Sequence, residues 1–343
     1  MSVWLDATAL LAAALAADAS AAPSALSGCP CQVIELDPHP PVGAAERAAL
    51  ARWLTRQASP VLGIAAVDIE HPLGAGCDAV VRSAAEAREL VVNIAAAPLA
   101  ALVLVQLLRA TERLEVAPAL ICESLAYATL QAGAEFRAWL ASAARPAAPA
   151  EAGEGAPLIL ARHGAHLTLR LNRPARRNAL SVEMRDALIE ALELIDADRS
   201  ITAVTVSGAG KCFSAGGDLS EFGSAGDAPT AHAVRTVRSV PALLARCAAR
   251  LTFRVHGAAV GAGAEMAAFG ARVEASADAF FQLPEIRYGL IPGSGGCVSI
   301  PRRIGRQRTA YLALSARRLD ARTALAWGLV DAVAERAAVE TAG

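Results

Sequence analysis

From Pro157 onward the chain repeats one pattern: an apolar extended run, an amphipathic helix and another extended run, with glycine-rich loops at the junctions. PLILARHGAHLTLRLNRP reads as a hairpin-like pair of strands, VEMRDALIEALELIDAD as a helix, and ITAVTVSGAG as a strand ending in glycines. The loop KCFSAGGDLSEF follows, then a helical stretch through VRSVPALLARCAAR and the strand LTFRVHG. A Gly/Ala-rich turn leads into a helix at GAGAEMAAFGA, and strands are read at RVEASA and AFFQLPE. Strand-length apolar runs alternating with helical periodicity define βαβ units, whose crossovers are right-handed around a parallel sheet. The fold class is therefore α/β, and ligand sites are expected at the carboxyl ends of strands, where the glycine loops fall.

The clearest boundary is SAARPAAPAEAGEGAP, Ser142 to Pro157, an aperiodic Ala/Pro/Gly/Glu stretch that reads as a linker. It divides the chain into an N-terminal region, 1–142, a linker, 143–157, and a second domain, 158–343. The first region holds a short strand at CQVIELD, a helix around ERAALARWLTRQ and a strand at PVLGIAAVDI. An apolar helical block then runs from Ala84 to Ala141, punctuated by Pro98 and Pro118. Leu90 to Leu108 reaches nearly the length of a membrane span, but Asn93, Pro98 and Gln106 interrupt it, so a buried helix pair broken at Pro98 is predicted. The N-terminal ALLAAALAADASAA has the small residues of a signal peptide, yet Asp6 precedes it and no Lys or Arg does. A mature cytosolic N-terminus is expected.

The residue balance narrows the partners. At 343 residues the chain calls for one large core with an appendage, or two domains. It is 55% hydrophobic and only 4% aromatic, so the core should be built from small residues in close contact. A net charge of −1 gives no footprint for nucleic acid or an anionic membrane; a polyanionic ligand would need a local basic cluster. The seven cysteines are odd in number and scattered, which suits a reduced cytosol rather than a disulfide framework. Cys29 and Cys31 form a CxC pair, but no Cys/His pair follows at zinc-site spacing, so no metal is expected. GAGAE lacks GxGxxG spacing and no flavin or nicotinamide motif is evident, so no cofactor is expected beyond what a substrate carries.

Three stretches bear on chemistry. In SAGGD, Ser214 to Asp218, Gly216 and Gly217 follow a strand and let the backbone approach a ligand and present N–H groups. HGAAVGAGAEMAAFG, His256 to Gly270, crowds small residues at a strand-to-helix junction, where the free amides of a first helical turn face outward. Glu265 lies near that turn and reads either as a capping carboxylate or as a catalytic one. In FFQLPEIRYGLIPGSGG, Glu285 follows Pro284 amid apolar residues, either as a surface glutamate or as a desolvated proton donor.

With LNRPARRNALS, FSAGGDL, VHGAAVGAGAEMA, ADAFFQLPEIRYGLIPGSGG and ARTALAWGLVDAV in this order, the segment from Pro157 to Glu335 resembles the enoyl-CoA hydratase/isomerase (crotonase) superfamily. The resemblance implies a crotonase-like ββα spiral fold in the C-terminal half. It implies that LNRPARRNAL helps form a coenzyme A site, with Arg173, Arg176 and Arg177 suited to phosphates. Ser214, Ala215, Asp218 and Leu219 would line the same site, Asp218 more as a brace of its loop. The backbone N–H groups of Gly217 and Ala262 would form the oxyanion hole; many members have glycine where this chain has Ala262, which would be strained if the turn needed positive φ there. Glu265 and Glu285 map onto the two catalytic acids of the hydratase branch.

An acyl-CoA enzyme follows from the resemblance, most directly reversible hydration of a 2-enoyl-CoA. Isomerase, dehydratase, and thioester or C–C hydrolase activities share the oxyanion hole, and a non-catalytic scaffold subunit is the competing class. A homo-oligomer, trimer or hexamer, is the family's habit. Members continue past GLVDAV with several helices that finish the lid and mediate trimer contacts. In this chain CDAVVRSAAEARELVVNIAAAPLAALVLVQLLR and ICESLAYATLQAGAEFRAWLA resemble those helices, and CDAVVRSAAE compares with VDAVAERAAV. The N-terminal region is therefore expected to be a shortened, degenerate, catalytically silent copy of the fold whose helices replace the lid, with an unrelated helical domain as the alternative.

Overall fold

The protein is described here from a computed structural model, which covers residues 3–6, 12, 24–37, 43–66, 71, 73–142 and 155–334. Nearly all of the signal-like stretch, linker residues 143–154 and the chain past Ala334 lie outside the described residues.

The first part opens with a parallel sheet, β1 (Val3–Asp6), β2 (Gln32–Glu35), β3 (Val61–Ile64) and β4 (Ala79–Val81), in the order β1-β2-β3-β4. Helix α1 (Ala44–Thr55) joins β2 to β3. The sequence pattern predicts β2, α1 and β3, which lie within longer apolar runs, but not β1 and β4. Strand alternation divides the sheet between two cores. Ile34, Leu50, Leu54, Val61 and Val80 form a small cluster on one face, while Val33, Leu62, Ala79 and Val81 join the main core on the other.

Four helices follow: α2 (Ala84–Ala96), α3 (Pro98–Thr111), α4 (Val116–Gln131) and α5 (Ala134–Ala141). The first pair bends by 109° at Ala97, and Pro98 sits at the first position of α3, where its missing N–H breaks no helical bond. Among the described residues no single helix is long and apolar enough to cross a membrane. The apolar face of the bent pair, Leu90, Ile94, Ala101, Leu104 and Val105, is buried in the main core.

The second part contains β5 (Leu158–His163), β6 (His166–Leu171), β7 (Ala203–Gly208), β8 (Leu251–Val255), β9 (Ala258–Val260), β10 (Arg272–Ser276), β11 (Phe280–Gln282), β12 (Leu319–Asp320) and β13 (Ala332–Ala334). Its helices are α6 (Val182–Ala197), α7 (Ala228–Val237), α8 (Val240–Cys247), α9 (Ala262–Ala267), α10 (Gly296–Ser315) and α11 (Ala321–Trp327). Six strands pair in the order β13-β10-β8-β7-β6-β5, all parallel except edge strand β5, which makes the expected hairpin with β6. A smaller sheet, β12-β11-β9, stands beside it. The helical stretch read around VRSVPALLARCAAR is two helices, because the Ser239 side chain caps α8 and Pro241 falls in its first turn.

The two parts share an edge-strand arrangement. Asp78 N–H donates to Val61 O at 2.8 Å and its Oδ2 accepts from Val61 N–H at 2.8 Å, just before β4. Asp331 does the same to Val273, at 2.8 and 2.7 Å, just before β13. Side-chain bonds cross between the parts: Asn93 Nδ2 donates to Leu314 O and Ser315 O, Tyr311 O–H donates to Glu86 Oε1, and Arg306 reaches Asp78. One hydrophobic core holds Leu90, Leu104, Tyr127 and Phe136 together with Leu169, Phe253, Ile286 and Leu314.

Candidate active site

The basic turn after β6 is anchored by Asn178, which sits at φ 53°, a left-handed conformation that Asn tolerates. Its Nδ2 donates to the carbonyls of Ala209, Cys212 and Phe213 at 2.9 to 3.1 Å, and its Oδ1 accepts from Arg173 N–H. The turn is thereby tied to the loop after β7. Sequence reading passed over Asn178 because an Asn in a basic turn looks like a turn former.

Of the three arginines, Arg173 is buried; its guanidinium meets Glu183 at 2.7 Å and the carbonyls of Asn172 and Gly155 at 3.0 Å. Arg176 lies 3.6 Å from Asp218 Oδ2, and Arg177, at φ 52°, is exposed. Ser214 is fully buried: its Oγ donates to Asn178 O and accepts from Gly216 N–H, which shapes the loop. Asp218 caps a short 3-10 turn at Leu219–Glu221 through Ser220 N–H, and Leu219 opens that turn. Ala215 N–H donates to Arg177 O, closing the loop onto the basic turn.

Leu180 bonds to Gly216 O and Asp218 N–H on either side of Gly217, so the Gly217 N–H faces away from that bridge. Ala262 is the first residue of α9, and its N–H has no acceptor one turn earlier in the helix. Gly216, at φ 92°, brings the two turns together: a Cβ there would lie 2.6 Å from Val260 O and 3.5 Å from Ala262 N. The strain expected at Ala262 falls one residue earlier, on Gly261, at φ 48° and ψ −122°.

Glu265 does not cap its own helix. Its Oε2 accepts from Ser294 N–H at 2.6 Å and Gly296 N–H at 2.8 Å, and the side chain is buried. Burial pushes its carboxyl up to about 7, against the two amides and Arg235, which lower it. Glu285 opens a 3-10 turn, Glu285–Tyr288, and is buried rather than on a surface loop. Its Oε1 lies where a Cβ at Gly261 would be 2.5 Å away, and its Oε2 is buried with no hydrogen-bond partner among the described residues. Burial, with the Glu265 charge second, holds the Glu285 carboxyl well above its ordinary range.

A third carboxylate comes from the N-terminal part. Glu123 on α4 is buried and accepts from Gly295 N–H at 2.7 Å and Cys297 N–H at 2.9 Å. One helical turn on, the Tyr127 ring lies under the Arg235 guanidinium, 4.1 Å from ring centroid to its carbon. Phe136 and Trp139 of α5 meet Phe222 and Tyr288 at centroid separations of 4.8 to 6.5 Å, and a Cβ at Gly217 would lie 2.9 Å from the Phe222 ring. The helices resembling a lid thus lie on the site. Glu123 and Arg235 had no local signal, since each sits within an ordinary helical pattern far in sequence from the motifs. Among the described residues no group of three or more His, Cys, Asp or Glu side chains is arranged to hold a metal.

The fold is one of parallel strands and crossover helices, and its candidate site sets two glycine turns beside two buried carboxyls. The family model described as enoyl-CoA hydratase/isomerase matches residues 163–342, and the chain belongs to that family. It is 37% identical over 179 residues to 2,3-dehydroadipyl-CoA hydratase of Escherichia coli (strain K12), across 51% of this chain and 68% of that one. To 1,2-epoxyphenylacetyl-CoA isomerase of the same organism it is 36% identical over 168 residues, 48% of this chain and 64% of that one. A crystal structure of an enoyl-CoA hydratase from Mycobacterium smegmatis aligns with a TM-score of 0.50 and 32% identity, over 54% of this chain and 72% of that one. The matched segment thus spans about two thirds of the two curated relatives.

Proposed function

We propose that the protein reversibly hydrates a 2-enoyl-CoA thioester. The observation that carries this reading is the buried carboxyl pair: Glu265, held by two amides, and Glu285, with an unpartnered oxygen beside Gly261 and the helix start at Ala262. The thioester carbonyl accepts from the Gly217 and Ala262 N–H groups, which stabilise the enolate oxygen as charge develops. Glu265, as the carboxylate, takes a proton from water while the water oxygen bonds to C3. Glu285, as the acid, gives its proton to C2. One proton enters the enzyme and one leaves, and exchange with solvent restores both groups.

Arg176 and Arg177 are the candidates for meeting coenzyme A phosphates, since the buried Arg173 is taken up by Glu183. The matching Asp78 and Asp331 bonds support reading the N-terminal part as a shortened copy of the same fold, with α4 and α5 as its lid. Isomerisation through Glu285 is the second reading, favoured by the near-equal match to the epoxyphenylacetyl-CoA isomerase.

The test is loss of the enoyl-thioester absorbance on mixing with crotonyl-CoA and a longer 2-enoyl-CoA, beside a Glu265→Gln/Glu285→Gln double variant. Loss in the unaltered protein alone supports hydration by both acids. No loss with either, together with turnover of a 3-enoyl-CoA, replaces hydration with isomerisation.

A further inference from the structure

Four successive amides at the start of α10 alternate between two carboxylates. Those of Ser294 and Gly296 go to Glu265, and those of Gly295 and Cys297 go to Glu123. Glu265 belongs to the second part and Glu123 to α4 of the first. The turn itself is unusual backbone: Gly295 sits at φ 95°, and a Cβ at Gly296 would lie 2.5 Å from Glu265 Cγ. Such a turn has little intrinsic preference for its shape and is fixed by what its N–H groups bond to. Removing the partner of Gly295 and Cys297 frees the residues that alternate with those holding Glu265.

We propose that Glu123 is a positioning residue: it fixes the 294–297 turn whose alternate N–H groups aim the Glu265 carboxylate, so that the first part of the chain completes the catalytic site. The catalytic consequence rests on the hydratase reading; the structural one does not. Two further contacts tie α4 to α7, Ser124 Oγ with His232 Nδ1 at 2.9 Å and the Tyr127 ring under Arg235. The groups that face Glu123 are Glu265 of α9, Glu285 of the 3-10 turn, Arg235 of α7, Tyr127 of its own helix and Cys297 of α10. Arg235 is the cation acting on Glu123 and Glu265.

Glu123→Gln keeps the side chain's length but turns one acceptor into a donor that faces an N–H. Two readouts are taken on the full chain, after thermal melts establish that the variant is folded. Site-resolved hydrogen exchange of residues 293–298 is read first, because it needs no turnover. Ser294 and Gly296, which do not touch residue 123, should exchange faster on the order of tenfold, along with Gly295 and Cys297. Faster exchange confined to Gly295 and Cys297 overturns the proposal.

In crotonyl-CoA hydration, kcat should fall on the order of 100-fold with KM held within about twofold, as for a catalytic group displaced by about 1 Å. The alkaline limb of the pH profile should move to lower pH, because a negative charge beside Glu285 has gone. Glu123→Asp keeps that charge but falls short of both amides; it should lower kcat and leave the limb in place. Should the Gln variant not fold, wild-type exchange and kcat in the Asp variant overturn the proposal. If the unaltered protein does not hydrate crotonyl-CoA, the hydratase reading fails while the exchange result still decides the role of Glu123.

Discussion

At Gly261 the backbone takes φ 48° and ψ −122°, a combination open to glycine and strained for any L side chain, and Glu285 Oε1 lies 2.5 Å from where a Cβ would sit. Gly261→Ala should cost about 1–3 kcal/mol in urea unfolding and lower kcat as well, because relief comes by moving either Glu285 or the Ala262 amide. The activity profile follows from the two acids. In the proposed hydration Glu265 works as its carboxylate, and burial raises it to about 7, so kcat/KM should fall as pH drops below about 7. In the same proposal Glu285 works as the acid and is raised well above its ordinary range, so activity should decline only at higher pH. A kcat/KM profile on crotonyl-CoA checks both limbs, and an acid limb near 4.5 would contradict the burial of Glu265. These two residues could be singled out as candidates from sequence because each lies within a motif that carries the family resemblance. Glu123 could not, because its partners are 172 and 174 residues away and its neighbours ICESLAY read as an ordinary apolar helix.

Of the short strands, β1, β4 and β9 escaped the sequence, whereas β2, β3 and β11, no longer than these, lie within wider apolar runs that could be read. The long ones, α6 with Met184, Leu188, Leu192 and Ile195 inward, were visible at once. Between these extremes lies the DAV stretch, whose likeness in CDAVV and VDAVA is one of structure as well as letters, since each Asp clasps the neighbouring strand in the same two bonds. Asp78 has acquired a second task. Arg109 bonds to both of its oxygens and Arg306 of α10 meets Oδ1 at 3.2 Å, all within a buried junction. Asp78→Ala leaves two guanidinium groups without their carboxylate and should cost about 3–5 kcal/mol, measured by chemical denaturation.

Over the whole molecule one hydrophobic core runs from Cys31 to Val330, so the two parts lean on the same interior. Its electrostatic cost is concentrated at the three carboxyls. Burial raises Glu123 to about 8 and Glu265 to about 7, and Glu285 well above its ordinary range. A folded-state pKa raised above the unfolded one means that the folded state holds its protons longer. The stability contributed is complete below about 4.3, the unfolded value, and is lost as pH climbs through the folded values. The melting temperature should therefore fall from pH 5 to pH 8, each such carboxyl contributing up to about 1.4 kcal/mol per pH unit. Glu285→Gln should flatten that slope, and its advantage over the unaltered protein should grow with pH. The alternating amides at residues 294–297 carry a consequence for ancestry and engineering alike. A turn answerable to two masters cannot be inherited from one of them: a chimera that grafts a relative's first part onto this second one must bring an acceptor for the Gly295 and Cys297 amides, and substitutions at position 123 and in that turn must travel together.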